Sequence, residues 1–434
     1  MKRCLLIVLL LTVAAGAALG QDVREIRIDT ITGVFEPTPI GVDEIKYVGT
    51  RYIAGEDSTL MLWITRVVQR DIDFYADFSV VLLDSFYLAT YEITELTFLG
   101  WQRLGAEFVI KIEVEFPGQN IRAYWKLFHA PTQTRVSKGT LEYHRNYWRE
   151  LAHDIGNEVV HALTGEQGIF RSKVAYIRKL GKAKELFISD YDGYNEKQLT
   201  EMGTINLSPA FAPGSNEIFF TSYQEGDPQL FKVSVTTGEV KQLTDFDGVV
   251  AAPSVSPDGD KIACVLSKDG NSEIYVLDLE GRIIKRLTRH WSIDSAPTWS
   301  PDGRMIAFSS DRTGAPQIYL MDSDGLNMKR LTFEGGYNDS PIWSNRGDRV
   351  TFVSRTRYGR FDLASIDTSG TDYRILTEVG QNENPHFSPD GKHIIFSSSR
   401  LTPGDIYTMD ISGRNQRRLT KGGNCSNPVW GPIK

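Results

Sequence analysis

From residue 199 on, a Leu-Thr dipeptide returns on a regular beat, at Leu199, Leu243, Leu287, Leu331, Leu376 and Leu419, at intervals of 44, 44, 44, 45 and 43 residues. A proline keeps the same beat, at Pro209, Pro253, Pro297, Pro341, Pro385 and Pro428. Two residues beyond each proline stands a large apolar residue: Phe211, Val255, Trp299, Trp343, Phe387 or Trp430. Two landmarks held in phase over six copies make the later part of the chain an array of one supersecondary unit.

Residues 297–332 show what that unit is. The runs PTWS, MIAFSS, QIYLMD and MKRLT are short and apolar, and turn residues separate them, including Pro301-Asp302-Gly303 and Asp322-Ser323-Asp324-Gly325. Four short strands joined by Asp-Gly turns form a β-meander. A meander of this length is one blade of a β-propeller, whose sheets are buried on both faces. The turn is kept as Pro213-Gly214-Ser215 in the second unit and Asn345-Arg346-Gly347 in the fifth. Counting closes the ring. Val174, Glu185 and Glu196 open three strands of an incomplete first unit, and Asn427 to Gly431 is a lone strand at the far end. Three and one make a sixth blade, which leaves no sheet edge unpaired. The expected fold is therefore mainly β: a six-bladed propeller over 169–434, preceded by a small α/β domain over 37–166.

That earlier segment lacks the beat. Ile40 to Tyr47 reads as a strand, Leu60 to Val68 and Phe98 to Leu104 as helices, and Phe108 to Val114 as a strand. Residues 121–128 and 134–143 read as a hairpin, and Tyr147 to Leu163 as an amphipathic helix ended by Gly165. Before it, residues 21–36 are polar and read as a flexible arm. Residues 1–20 read as a secretory signal: Lys2 and Arg3, an apolar run from Leu5 to Ala15, then the small-x-small site Ala18-Leu19-Gly20, with cleavage after Gly20. That run is too short to span a bilayer, and no later stretch is long and apolar enough, so the expected product is soluble and periplasmic.

Loss of Lys2 and Arg3 takes the net charge from −7 to −9, which argues against a nucleic-acid partner. Cys264 and Cys425 remain, the first in a strand and the second in a loop, and are expected as buried or isolated thiols. There is no Gly-x-Ser-x-Gly elbow, His-Glu-x-x-His pair or Gly-rich phosphate loop, so the expectation is a protein that is not an enzyme and uses no cofactor. His153 and His161 lie two turns apart on one helix, too far to share a metal. Asp190-Tyr191-Asp192-Gly193 and Asp322-Ser323-Asp324-Gly325 open like calcium loops but lack the closing glutamate, and read as hairpin turns.

The repeat, the leader and the α/β segment together resemble the TolB family of periplasmic propellers of the Tol-Pal system. The most specific stretches are LTGEQGIFRSKVAYI from Leu163 to Ile177 and SDYDGYN from Ser189 to Asn195; PIGV from Pro39 and WQRLGAEFVI from Trp101 also resemble the family. The resemblance implies two partners. The arm would engage a TolA-type inner-membrane protein through Asp22, Glu25, Ile26, Arg27 and Ile28, whose alternation suits strand addition. One propeller face would bind a Pal-type peptidoglycan-associated lipoprotein, through the segments between each Leu-Thr and the next proline. These carry Val249, Ala252, His290, Trp291, Ser295, Tyr337 and Asn338. The family's histidine before blade three is replaced here by Val249 or Val250. The implied role is a monomeric adaptor in outer-membrane invagination at division; the alternative is a propeller that binds a small molecule or glycan in its central channel.

Overall fold

The computed structural model describes residues 36–50, 53, 55–82, 98–356 and 359–433. The leader and the arm residues Asp22, Glu25, Ile26, Arg27 and Ile28 lie outside the described residues.

The first elements form a mixed sheet backed by two helices. β1 (Thr38–Val42) lies between β3 (Phe78–Val81) and β4 (Phe108–Glu115) and is parallel to both. β4, β5 (Asn120–His129) and β6 (Thr134–His144) continue as an antiparallel meander. Ile40 to Tyr47 is not one strand: β1 ends at Val42, and the short β2 (Lys46–Tyr47) pairs further along β4. The helix read over Leu60–Val68 extends in both directions as α1 (Gly55–Phe74). A short α2 (Phe98–Arg103) follows, and α3 (Trp148–Thr164) is capped by Gly165 at φ +74°, whose N–H bonds to the His161 carbonyl. Only a left-handed residue ends a helix that way at little cost. Ile64, Val68 and Ile72 of α1 and Leu151, Ile155 and Val159 of α3 share one core with Ile121, Ala123, Trp125 and Leu127 of β5. The alternate residues of β5 face away, where Arg122 and Lys126 pair with Glu115, Glu142 and Glu113.

Six four-stranded sheets follow. Blade four runs Asp294–Trp299, Met305–Ser310, Gln317–Asp322 and Lys329–Arg330, from the axis outward. Neighbouring blades stack through apolar faces: Trp299, Ile306 and Phe308 of blade four pack with Ala263, Val265 and Ile274 of blade three. The Trp299 indole also donates across to the Ser254 carbonyl at 3.1 Å.

Both landmarks of the repeat have a physical cause. The threonine of each Leu-Thr ties the outer strand back to the third. In blade three, Thr288 Oγ1 accepts the Ile274 N–H at 2.9 Å and donates to the buried Glu273 carboxylate at 2.5 Å. The same pair of bonds recurs at Thr200, Thr244, Thr332, Thr377 and Thr420. The partners are Glu185, Gln229, Gln317, Asp362 and Asp405. Each proline marks a β-bulge in the first strand. The residues before them, Ser208, Ala252, Ala296, Ser340, Asn384 and Asn427, all have φ between +48° and +54°, and the pairing register shifts there in every blade. A residue without an N–H is tolerated at a bulge because no ladder bond is lost.

The ring closes as its strand count requires. The last strand, Cys425–Trp430, pairs antiparallel with Lys173–Leu180 of the first blade, and the Trp430 indole donates to Ser172 Oγ at 2.8 Å. This strand begins two residues before Asn427, so Cys425 is a strand residue and not a loop residue. Cys264 and Cys425 are both free and buried. Asp190–Gly193 and Asp322–Gly325 are hairpin turns with each glycine at positive φ, and Asp322 accepts from Asn327 of its own turn. No helix among the described residues is long and apolar enough to cross a membrane.

Deleting Asn427 to Lys434 removes the buried Val429 and Trp430 and leaves the inner edge of Lys173–Leu180 unpaired. The melting temperature should fall by about 10 °C or more, as loss of a buried Trp and its strand implies. Differential scanning calorimetry of the truncated chain checks this, and an unchanged midpoint contradicts it.

Candidate functional site

The propeller has two unlike faces, because a meander puts alternate connections at opposite ends. On the first face lie the turns that join first to second and third to fourth strands, and there the α/β unit is seated. Asp71 of α1 is fully buried; it accepts from Tyr191 Oη of blade one at 2.5 Å and lies 2.9 Å from His153 Nδ1 of α3. Burial holds the Asp71 carboxyl above the usual carboxylate range. Burial also opposes a charge on His153, but the Asp71 carboxylate outweighs it and raises the imidazole. Arg149 reaches Asp192 at 2.5 Å and stacks over Tyr194 at 3.7 Å. In blade six, Asp390 accepts from Tyr75 Oη at 2.8 Å, and Lys392 pairs with Asp77 and Glu166. Burial pulls the Asp390 carboxyl upward, but the neighbouring His393 ring and the Ser388 hydroxyl hold it well below its usual range. Phe74 stacks on His393 with centroids 4.2 Å apart.

The opposite face is open. It bears the connections from each Leu-Thr to the next blade and those between second and third strands. His290 is fixed there: its N–H donates to Glu273 at 2.6 Å, its carbonyl accepts from Asn271, and its Nδ1 accepts from the Ser292 N–H. That anchorage turns Trp291 outward, 80% exposed, with its ring 5.1 Å from the His290 ring. Ile293 beside it and Phe333 of the next connection, 73% exposed, extend the patch. Leu180, Ile205, Tyr223, Val379 and Leu401 are also exposed at this end of their blades.

The seven residues assigned to this face divide into three groups. His290 and Trp291 come together on it. Val249 and Tyr337 are half-buried in its loops; the Val249 N–H bonds to Ser267 Oγ and the Tyr337 hydroxyl to Asp339, and burial pushes that phenol up to about 12. Ala252, Ser295 and Asn338 are not loop residues, because the first strand of each blade starts before the proline. Asn338 is fully buried, donating to Gln317 and to the Glu334 carbonyl, so it supports the loop without reaching a partner. Ala252 sits at a bulge and lines the axial channel with the other five bulge residues. That channel encloses about 460 Å³ between prolines and aromatic rings. Among its walls is His386, which burial pushes down to about 4. No group of three or more metal-ligating side chains occurs among the described residues.

The TolB beta propeller domain model matches residues 160–434. The chain belongs to the TolB β-propeller family. It is 33% identical over 240 residues to the Tol-Pal system protein TolB of Roseobacter denitrificans, covering 53% of this chain and 52% of that one. To the protein of the same name from a Jannaschia species it is 34% identical over 241 residues, covering 52% and 51%. The chain thus spans about half the length of the curated relatives it matches. The crystal structure of TolB from Acinetobacter baumannii superposes with a TM-score of 0.79 at 26% identity, over 92% of this chain and 97% of that one. The six blades and the preceding α/β unit are therefore a TolB architecture.

Sequence reading missed the acid or amide of the third strand, although it stands fifteen residues before every repeat threonine and could have been counted. It also missed Asp71, Phe333 and Val379; a single aspartate on a helix and apolar residues in loops carry no periodic signal. The junction was legible as SDYDGYN, and Tyr191 shows why. Removing its hydroxyl with Tyr191→Phe leaves a buried carboxylate short of a donor. Stability should fall by about 1–3 kcal/mol, read by urea denaturation, whereas Trp291→Ala on the open face should change it by less than about 0.5 kcal/mol.

Proposed function

We propose that this chain is a periplasmic adaptor of the Tol-Pal cell-envelope system, linking a TolA-type inner-membrane protein to a Pal-type lipoprotein without doing chemistry itself. In this reading residues 1–20 export it and are cleaved after Gly20, 37–166 and 169–434 are its two domains, and it works as a monomer in outer-membrane invagination and envelope integrity. The observation that carries the proposal is the exposed apolar belt centred on Trp291. It lies on the propeller face that the α/β unit leaves free, and large apolar patches on such surfaces mark sites of association. A rigidly anchored aromatic ring at the patch centre suits a hot spot. Membership of the TolB family, whose relatives are Tol-Pal system proteins, supports the choice of system.

The double variant His290→Ala, Trp291→Ala should weaken binding of a Pal-type lipoprotein by about 1–3 kcal/mol, measured by titration calorimetry. Asp324→Ala, in a turn on the opposite face, should leave the affinity unchanged. The reverse pattern would place the lipoprotein on the face beside the α/β unit. A separate site for the second partner follows from the arm. Deleting Asp22 to Ile31 should abolish binding of a TolA-type domain and leave the lipoprotein affinity intact, and equal loss of both would rule out two sites. The channel supports a second reading, since about 460 Å³ lies within the range of small-ligand pockets.

A further inference from the structure

A second surface stands apart from the open propeller face. Between α1, β3 and the first blade runs a groove of about 660 Å³. Its walls include Trp63, Trp148 and Tyr194, with the aliphatic side chains of Val67, Val80 and Leu82 along one side. Trp63 and Leu82 are exposed, and the two tryptophan rings tilt together at 5.6 Å. Solvent therefore meets a mixed surface, in which Gln69 and Asp73, whose carboxylate is paired with Arg417, stand beside these apolar side chains.

Three features say what would lie on it. Arg66 and Arg70 stand one helical turn apart on the rim, exposed, and neither has an ion pair or hydrogen bond among the described residues. In a chain of net charge −7, two adjacent guanidinium groups without a carboxylate partner form a local site for negative charge. Arg149 also lines the groove, and although Asp192 holds its Nη2, its buried Nε has no hydrogen-bond partner. Finally, β3 is an edge strand: β1 pairs with one side of it, and no strand among the described residues pairs with the other. An open edge offers its backbone N–H and C=O groups to an added strand.

We infer that this groove binds an extended acidic segment of a partner protein, which adds to the free edge of β3. Its apolar side chains rest on Trp63, Val80 and Leu82, and its carboxylates meet Arg66 and Arg70. A sugar chain would match the tryptophans, but it would leave the aliphatic wall and the backbone edge unused. The site is separate from the propeller face of the proposed adaptor role, so either assignment can fail without the other.

Fluorescence anisotropy with the labelled peptide Glu-Val-Glu-Val-Glu-Val-Glu tests this on the full mature chain. Saturable binding is expected, weakening with added salt. The variant Arg66→Glu, Arg70→Glu should bind about tenfold more weakly, while Arg66→Lys, Arg70→Lys keeps most of the affinity; unaltered circular dichroism spectra and melting would show that both variants fold. Peptides with lysine for glutamate, or with proline at the central positions, should not compete. Equal binding of the proline peptide would overturn strand addition, and indifference to the glutamate variant would overturn the site. Binding seen only after residues 21–35 are removed would also overturn the inference, because the chain's own leader segment would then be the occupant.

Discussion

The propeller depends on the threonine that fastens each outer strand to the strand inside it. Outer strands here are as short as two residues, as at Lys329–Arg330 and Arg417–Arg418, and strands of that length pair weakly by themselves. The threonine hydroxyl accepts one backbone N–H and donates to one buried acid or amide. It thereby fixes the point where the chain leaves one blade for the next. The acid is itself satisfied from several sides: Glu273 accepts from Thr288, from the His290 N–H and from Arg286. A buried carboxylate is costly unless so surrounded. The surroundings here are the inter-blade loop itself, so the device that closes the blade also shapes the surface beyond it.

That coupling links fold to function. The loop carrying Trp291 is held by the same Glu273 that locks blade three, which is how a large exposed ring can stand in one orientation. On the other face the turns are used differently. Tyr191 and Asp192 of blade one grip α1 and α3, and Asp390 and Lys392 of blade six grip Tyr75 and Asp77 just beyond α1, through hydrogen bonds and charge. The two faces thus differ in use, one committed to the chain's own α/β unit and the other left open.

Some of this was legible one residue at a time. The bulge prolines and the Leu-Thr pairs announce the blade because the geometry they serve is local and repeats six times. The helices were legible in kind, but α1 was read short, since Asp71 and Asp57 break its apolar stripe and both are buried for reasons outside the helix. The site was legible only where residue type is unusual for a loop, as at His290 and Trp291. Asn338 was misassigned because position relative to a proline says nothing of which way a side chain turns.

The sequence by itself determined the number of blades, their strand order and the closure of the ring, because each follows from short-range pattern and from counting. Tertiary structure alone decided which face is free, which apolar side chains reach solvent, and what holds the α/β unit to the propeller. Those depend on where the chain meets itself across long separations. Asp71 and Tyr191 are 120 residues apart and Tyr75 and Asp390 are 315 apart, and no periodicity in the chain connects such pairs.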